Sequence, residues 1–155
     1  MSELSIELKW DLLNKEFTPS NYSVDHIIIV NNDIKIPSSS APEYGGNHKN
    51  LNPEQGLAAA ISSCHMMTFL ALAAKMRWPV LSYTDQATAF LGKNSKGKMS
   101  VNKIELNPTI TFNDNFEVSH DEMLKMQDRS HRYCFIANSL SEEVEIKINI
   151  KKIKK

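Results

Sequence analysis

The chain has 155 residues, 41% of them hydrophobic and 23% charged, the composition of an ordinary soluble domain large enough for a real core. Eighteen basic residues balance eighteen acidic ones. A formal charge of zero argues against nucleic acid as a partner, because phosphate binding draws on a basic excess, and it leaves little repulsion to keep copies of the chain apart.

The first twenty residues carry Glu3, Glu7, Lys9, Asp11, Lys15 and Glu16 and no apolar signal core, so the expectation is a cytoplasmic protein. Ile6, Leu8 and Trp10 share one parity and read as a half-buried strand. Tyr22 to Pro37 reads as a hairpin: an apolar run ends at Val30, Asn31-Asn32-Asp33 supplies turn residues, and Ile34 and Ile36 restart the alternation. SSSAPEYGGNHKN then forms a loop.

A long helix follows. Asn52 is a good N-cap, Pro53 fits the first helical position, Gln55 can close a capping box, and Pro79 is the expected stop. Its sequence, LAAAISSCHMMTFLALAAKM beyond Gly56, is apolar on most sides, which predicts a helix buried on most sides. Ser62, Ser63, His65 and Thr68 interrupt it, so a core helix is expected and no membrane span. One small domain rarely surrounds so long a helix, and sheet from a second subunit is the expected cover.

Ser82 to Leu91 and Val101 to Phe112 read as antiparallel partners joined by a polar loop. Ser119 and Glu122 form a capping box that opens a helix running to about Asp128. Cys134 follows on a short helix or turn. Val144, Ile146, Ile148 and Ile150 alternate with polar residues as a strand, and KKIKK reads as a solvated tail. No repeat or linker is visible, so residues 1–155 are expected to form a single domain.

Cys64, in the long helix, and Cys134, seventy positions later, are the only cysteines. A buried free cysteine is most often a small hydrophobe, so packing, metal binding and reaction are all open. Cys64-His65 and His131-x-x-Cys134 hold four potential metal ligands, but neighbours on a helix point about 100° apart and the spacing matches no zinc pattern, so no metal is expected. If the two thiols meet, a peroxide-oxidised sulfenic acid on one can condense with the other to a disulfide, a transient bond that a reducing compartment permits.

NPEQGLAAAISSCHMMTFLALAAK, residues 52–75, closely resembles the helix of the OsmC/Ohr family of osmotically inducible and organic hydroperoxide resistance proteins. HRYCFIANS, residues 131–139, resembles that family's second cysteine motif, and YTDQATAFL, IELNPTITF and APEYGGNHKN resemble its intervening segments. The resemblance implies an α+β fold, antiparallel sheets around a long buried central helix in an intertwined homodimer. It implies a thiol peroxidase for organic hydroperoxides with no cofactor, re-reduced by a dithiol such as a lipoyl group. Cys64 would be the peroxidatic cysteine, Cys134 the resolving one, and Glu54 the active-site glutamate. Ten residues separate Glu54 from Cys64, about 15 Å along a straight helix, so Glu54 would reach the thiol only through a kink or from the other chain. One departure stands out. The family's Y-x-R-x-H pattern corresponds to Tyr22-Ser23-Val24-Asp25-His26, which puts Val24 at the arginine position and leaves His26, Arg129 and Arg132 as candidate substitutes. That departure keeps a second expectation open, a non-catalytic dimer of the same fold that serves as a binding or stress-associated module.

Overall fold

The computed structural model describes residues 3–13, 16–19, 21–150 and 152–154. The fold is mixed α and β, and its contacts group into two units, Met1–Gly56 and Leu57–Lys155.

The first unit is built on an antiparallel sheet of β1 (Glu7–Lys9), β2 (His26–Ile29) and β3 (Lys35–Ser38) in sequence order. The β2–β3 hairpin turns where the side chain of Asn31 accepts the amides of Asp33 and Ile34, both at 2.9 Å, so the expected hairpin forms. The expectation of a half-buried first strand fails. Every residue of β1 is exposed, and this edge strand has its sheet on one side only. In the loop that follows, a side chain on Gly46 would overlap the Ser40 carbonyl, which fixes glycine there.

α1 (Pro53–Lys75) begins at the end of this unit and continues into the next. Its capping box is formed as read: Asn52 Oδ1 accepts the Gln55 amide at 2.8 Å, and Gln55 Oε1 accepts the Asn52 amide at 3.1 Å. It ends four residues before Pro79. Arg77 turns left-handed with φ 56°, and the amides of Arg77 and Trp78 bond back to the carbonyls of Ala74 and Ala73. By length and composition α1 could cross a bilayer, a test that the core helix of a soluble protein also passes. Within the chain α1 is buried on one side: Ala58, Ile61, His65, Phe69 and Ala73 are buried, while the opposite stripe is open.

The expected long hairpin is broken in two. β4 (Val80–Thr84) pairs with β7 (Thr109–Phe112), and β5 (Thr88–Lys93) pairs with β6 (Met99–Leu106), in separate sheets. Pro108 has no amide to give the ladder, and the Asn107 amide goes to the Asp85 carboxylate instead, at 2.6 Å. α2 (His120–Arg132) opens at the expected Ser119–Glu122 box and runs one turn beyond Asp128. β8 (Glu145–Ile148) then adds to β6 and β9 (Lys152–Lys154) to β7, both parallel. The sheets are therefore not wholly antiparallel, since both closing strands return after the long α2 connection. The KKIKK segment, read as solvated, contributes β9: its main chain takes the edge of β7.

Two apolar clusters hold the second unit. Ile61 packs with Ile104 and Leu106 of β6, and Ile136, Ala137 and Ile146 join them. Phe69 and Ala73 pack with Ile110 and Phe112 of β7 and with Met123 and Met126 of α2. The turn of α1 between Ile61 and Phe69 carries Cys64 and His65.

Candidate active site

That turn is where the chain brings its two sulfurs together. Cys64 is half-buried on α1. Cys134 lies just beyond the C-cap of α2, its amide bonded to the His131 carbonyl at 3.1 Å, and it is fully buried. Cys64 lies close enough to Cys134 to act on its thiol, and neither sulfur is in a disulfide. Burial pushes the Cys134 thiol up to about 11, and the neighbouring Cys64 adds to the rise. The Ala137 amide, 3.5 Å from Sγ, offsets only part of it. Cys134 is thus a protonated thiol sealed from solvent, and Cys64 is the sulfur that a reagent can meet first.

The polar residues around Cys64 are hydrogen-bonded packing. Ser62 donates to Asp85 Oδ2 at 2.6 Å, and Thr68 donates back to the Cys64 carbonyl at 2.9 Å. Asp85 therefore ties α1 to the break between β6 and β7 through its two oxygens. Its charge also raises the Tyr83 phenol beyond what burial does, and the Tyr83 hydroxyl is buried without a partner among the described residues. His65 points the other way, into the core, with Nε2 2.6 Å from Gln127 Oε1 of α2. Burial lowers its pKa, the Gln127 bond opposes that, and His131 and Asp85 act on it in opposite senses. Its Nδ1 is buried with no partner among the described residues.

Asp85 and Gln127 were not legible as site residues. Asp85 had a signal: a charged residue in YTDQATAFL, inside what otherwise reads as one strand. Gln127 had only its polarity on the same face as Met123, Met126 and Ser130.

Glu54 stands in the first turn of α1, in the first unit, and its Oε2 is buried without a partner among the described residues. Val24 lines an apolar cleft of about 480 Å³ in that unit with Leu8, Trp10, Phe17, Tyr22 and His26. His26 turns its Nδ1 to the Val24 carbonyl at 2.9 Å. Arg132 pairs with Asp128 at 2.9 Å, and Arg129 lies against the Met76 sulfur at 3.9 Å, both on the rim of a separate 370 Å³ cleft floored by Trp78 and Met126. Among the described residues, no three His, Cys, Asp or Glu side chains gather to hold a metal ion.

The chain matches the OsmC-like protein family over residues 46–149. Its fold superposes with a TM-score of 0.90 on an OsmC-like protein of unknown function from Vibrio cholerae, at 40% identity over 97% of this chain and 100% of that one. Organic hydroperoxide resistance proteins from Elizabethkingia anophelis (17% identity, TM-score 0.70, 95% of each chain) and Bacillus subtilis (15% identity, TM-score 0.65, 95% of this chain and 96% of that one) share the fold. No curated protein matches. With two thirds of its length inside the family match and a relative that aligns over nearly the whole chain, this protein belongs to the OsmC-like family.

Proposed function

We propose that the protein is a cysteine-based peroxidase for organic hydroperoxides. The observation that carries the reading is the pairing of two thiols from positions 64 and 134, one half-exposed and one sealed. The Cys64 thiolate attacks the outer oxygen of ROOH. An S–O bond forms, the O–O bond breaks, and the alkoxide leaves as the alcohol after taking a proton. The Cys134 sulfur then attacks the Cys64 sulfenic acid; an S–S bond forms, and hydroxide leaves with the Cys134 proton as water. Two electrons pass from the thiols to the peroxide, and a dithiol, lipoyl-type by family analogy, returns them by exchange through the disulfide. The raised pKa of Cys134 suits this division, because a protonated thiol does not compete for the oxidant.

Glu54 takes the role of the family's glutamate by its place in the N-P-E box, with a buried carboxylate oxygen that has no donor among the described residues. The open stripe of α1 supports a homodimer, and a transient catalytic disulfide is compatible with a reducing, cytoplasmic setting. Apolar Val24 at the arginine position favours a second reading, a non-catalytic dimer that keeps the fold as a binding module.

Thiol counting separates the two. Reduced protein exposed to cumene hydroperoxide loses both thiols per chain. Cys64→Ser loses none, and Cys134→Ser loses one and forms a dimedone adduct on Cys64. Survival of both thiols under excess peroxide would overturn the peroxidase and leave the binding module.

A further inference from the structure

His65 and Gln127 form a buried polar pair that the chemistry above does not use. His65 is 1% exposed and Gln127 2%, and both sit beside the Phe69–Met123–Met126 cluster. Gln127 Oε1 accepts from His65 Nε2 at 2.6 Å, and Gln127 Nε2 reaches the Met123 sulfur at 3.7 Å. The opposite amide orientation would aim an oxygen at that sulfur and leave it without a donor, so the imidazole carries its proton on Nε2. A polar pair inside an apolar cluster contributes little net stability, because each group gives up water to make one bond. What such a pair does well is fix one relative placement of the elements it joins: any slip of α1 against α2 leaves two buried polar groups unpaired.

Those are the two elements that present the sulfurs. His65 follows Cys64 directly on α1, and Gln127 lies on α2 about two turns before Cys134, which follows the C-cap of that helix. We infer that His65 and Gln127 are positioning residues, a strut that holds Cys64 and Cys134 at bridging register and so sets how readily the disulfide closes. The inference rests on the two-thiol reading. It concerns the closing of the S–S bond, and the first attack on the peroxide does not depend on it.

The test therefore avoids peroxide. Protein is equilibrated in mixtures of reduced and oxidised glutathione, where the two chain thiols are oxidised to one disulfide as one glutathione disulfide is reduced to two thiols. The midpoint gives the effective concentration of one thiol at the other. Gln127→Met keeps the volume and removes the acceptor; its effective concentration is expected to fall about tenfold or more, given how steeply reactions depend on placement. Gln127→Glu keeps an acceptor for His65 Nε2 and is expected to stay within about threefold of the parent. The rate of Cys64 alkylation by iodoacetamide, which reads the access and thiolate fraction of that one sulfur and not its distance from Cys134, should not change in either variant. If Gln127→Met does not fold, the double variant His65→Leu/Gln127→Met removes both partners, a change that can be nearly neutral for stability, and carries the same readout. A folded acceptor-less variant that matches the parent would overturn the strut, as would a Gln127→Glu that falls as far as Gln127→Met. Failure of the peroxidase reading shows separately, as thiols that close in glutathione but ignore hydroperoxide.

Discussion

The two faces of α1 are nearly alike in composition and opposite in environment. The inner face, Ala58, Ile61, His65, Phe69 and Ala73, is at most 4% exposed. The outer stripe, Ala59, Ser63, Met67, Ala71 and Ala74, is open, and Met67 is 59% exposed. Hydrophobicity does not distinguish them: each face carries one polar residue among apolar ones. The chain's own sheets cover one face, and an apolar stripe four turns long on the other is the kind of surface that marks an interaction site.

That contrast is broken or sharpened first by substituting on each face. Phe69→Ala empties a fully buried site that Trp78 and Tyr83 also pack against, and is expected to cost about 3–5 kcal/mol in a urea titration. Met67→Lys puts a charge on the outer stripe, and its effect is expected in association: a parent that sediments as a dimer becomes a monomer with unchanged far-UV circular dichroism. A loss below about 1 kcal/mol for Phe69→Ala, small on the scale of such truncations, would make the inner face ordinary surface. A parent that is monomeric at working concentrations, or a Met67→Lys that remains dimeric, would remove the outer stripe from the subunit seam.

The inner face also carries the one titratable group in that row. His65 is held neutral by burial, with its pKa below the ordinary 6.5. The unfolded chain therefore takes up a proton that the fold refuses once the pH drops below about 6.5. This part of the stability is complete above that value, falls as pH decreases from it, and levels off below the depressed folded value. Asp85 and His131 also act on the imidazole, Asp85 favouring the cation and His131 opposing it. Urea midpoints between pH 8 and 5 should decline for the parent and decline less for His65→Leu. Parallel curves would place the acid sensitivity on other groups.

How much of this was legible follows the same division between local and long-range causes. The Asn52–Gln55 and Ser119–Glu122 capping boxes, the Asn31 turn and the long helix all formed where the sequence put them, because each is settled by residues within one or two turns of each other. The break of the hairpin at Asp85 and Asn107 was missed, because the side chain that captures the Asn107 amide comes from twenty-two positions away. β9 was missed for a similar reason: its strand character comes from the free edge of β7, not from its own lysines. At the site, motif resemblance picked out Cys64 and Cys134, and Cys64 stands near enough to raise the Cys134 thiol. Gln127 could be found only after α2 was seen to lay that side against His65. Glu54 was picked out in the same way, and it stands in the other unit, at the start of α1.

The smallest effect belongs to the end of α1, where the inner face is closed off. Arg77 is left-handed, with φ 56°, and this reversal lets the Trp78 amide reach back to Ala73 and sets the Trp78 ring 6.5 Å from that of Phe69. Glycine adopts that conformation freely, whereas a residue with a Cβ is strained there by about 1–2 kcal/mol. The unfolded chain gains freedom from the same change and takes back part of the benefit. Arg77→Gly is therefore expected to raise stability by about 0.5–1 kcal/mol, the balance of those two terms. The same urea titration reads it, with Arg77→Ala as the control that removes the guanidinium and keeps the strain. If the alanine variant gains as much as the glycine variant, the gain comes from losing the charge. If the glycine variant loses stability, the turn that seats Trp78 under the inner face is held by the arginine side chain and not merely tolerated by it.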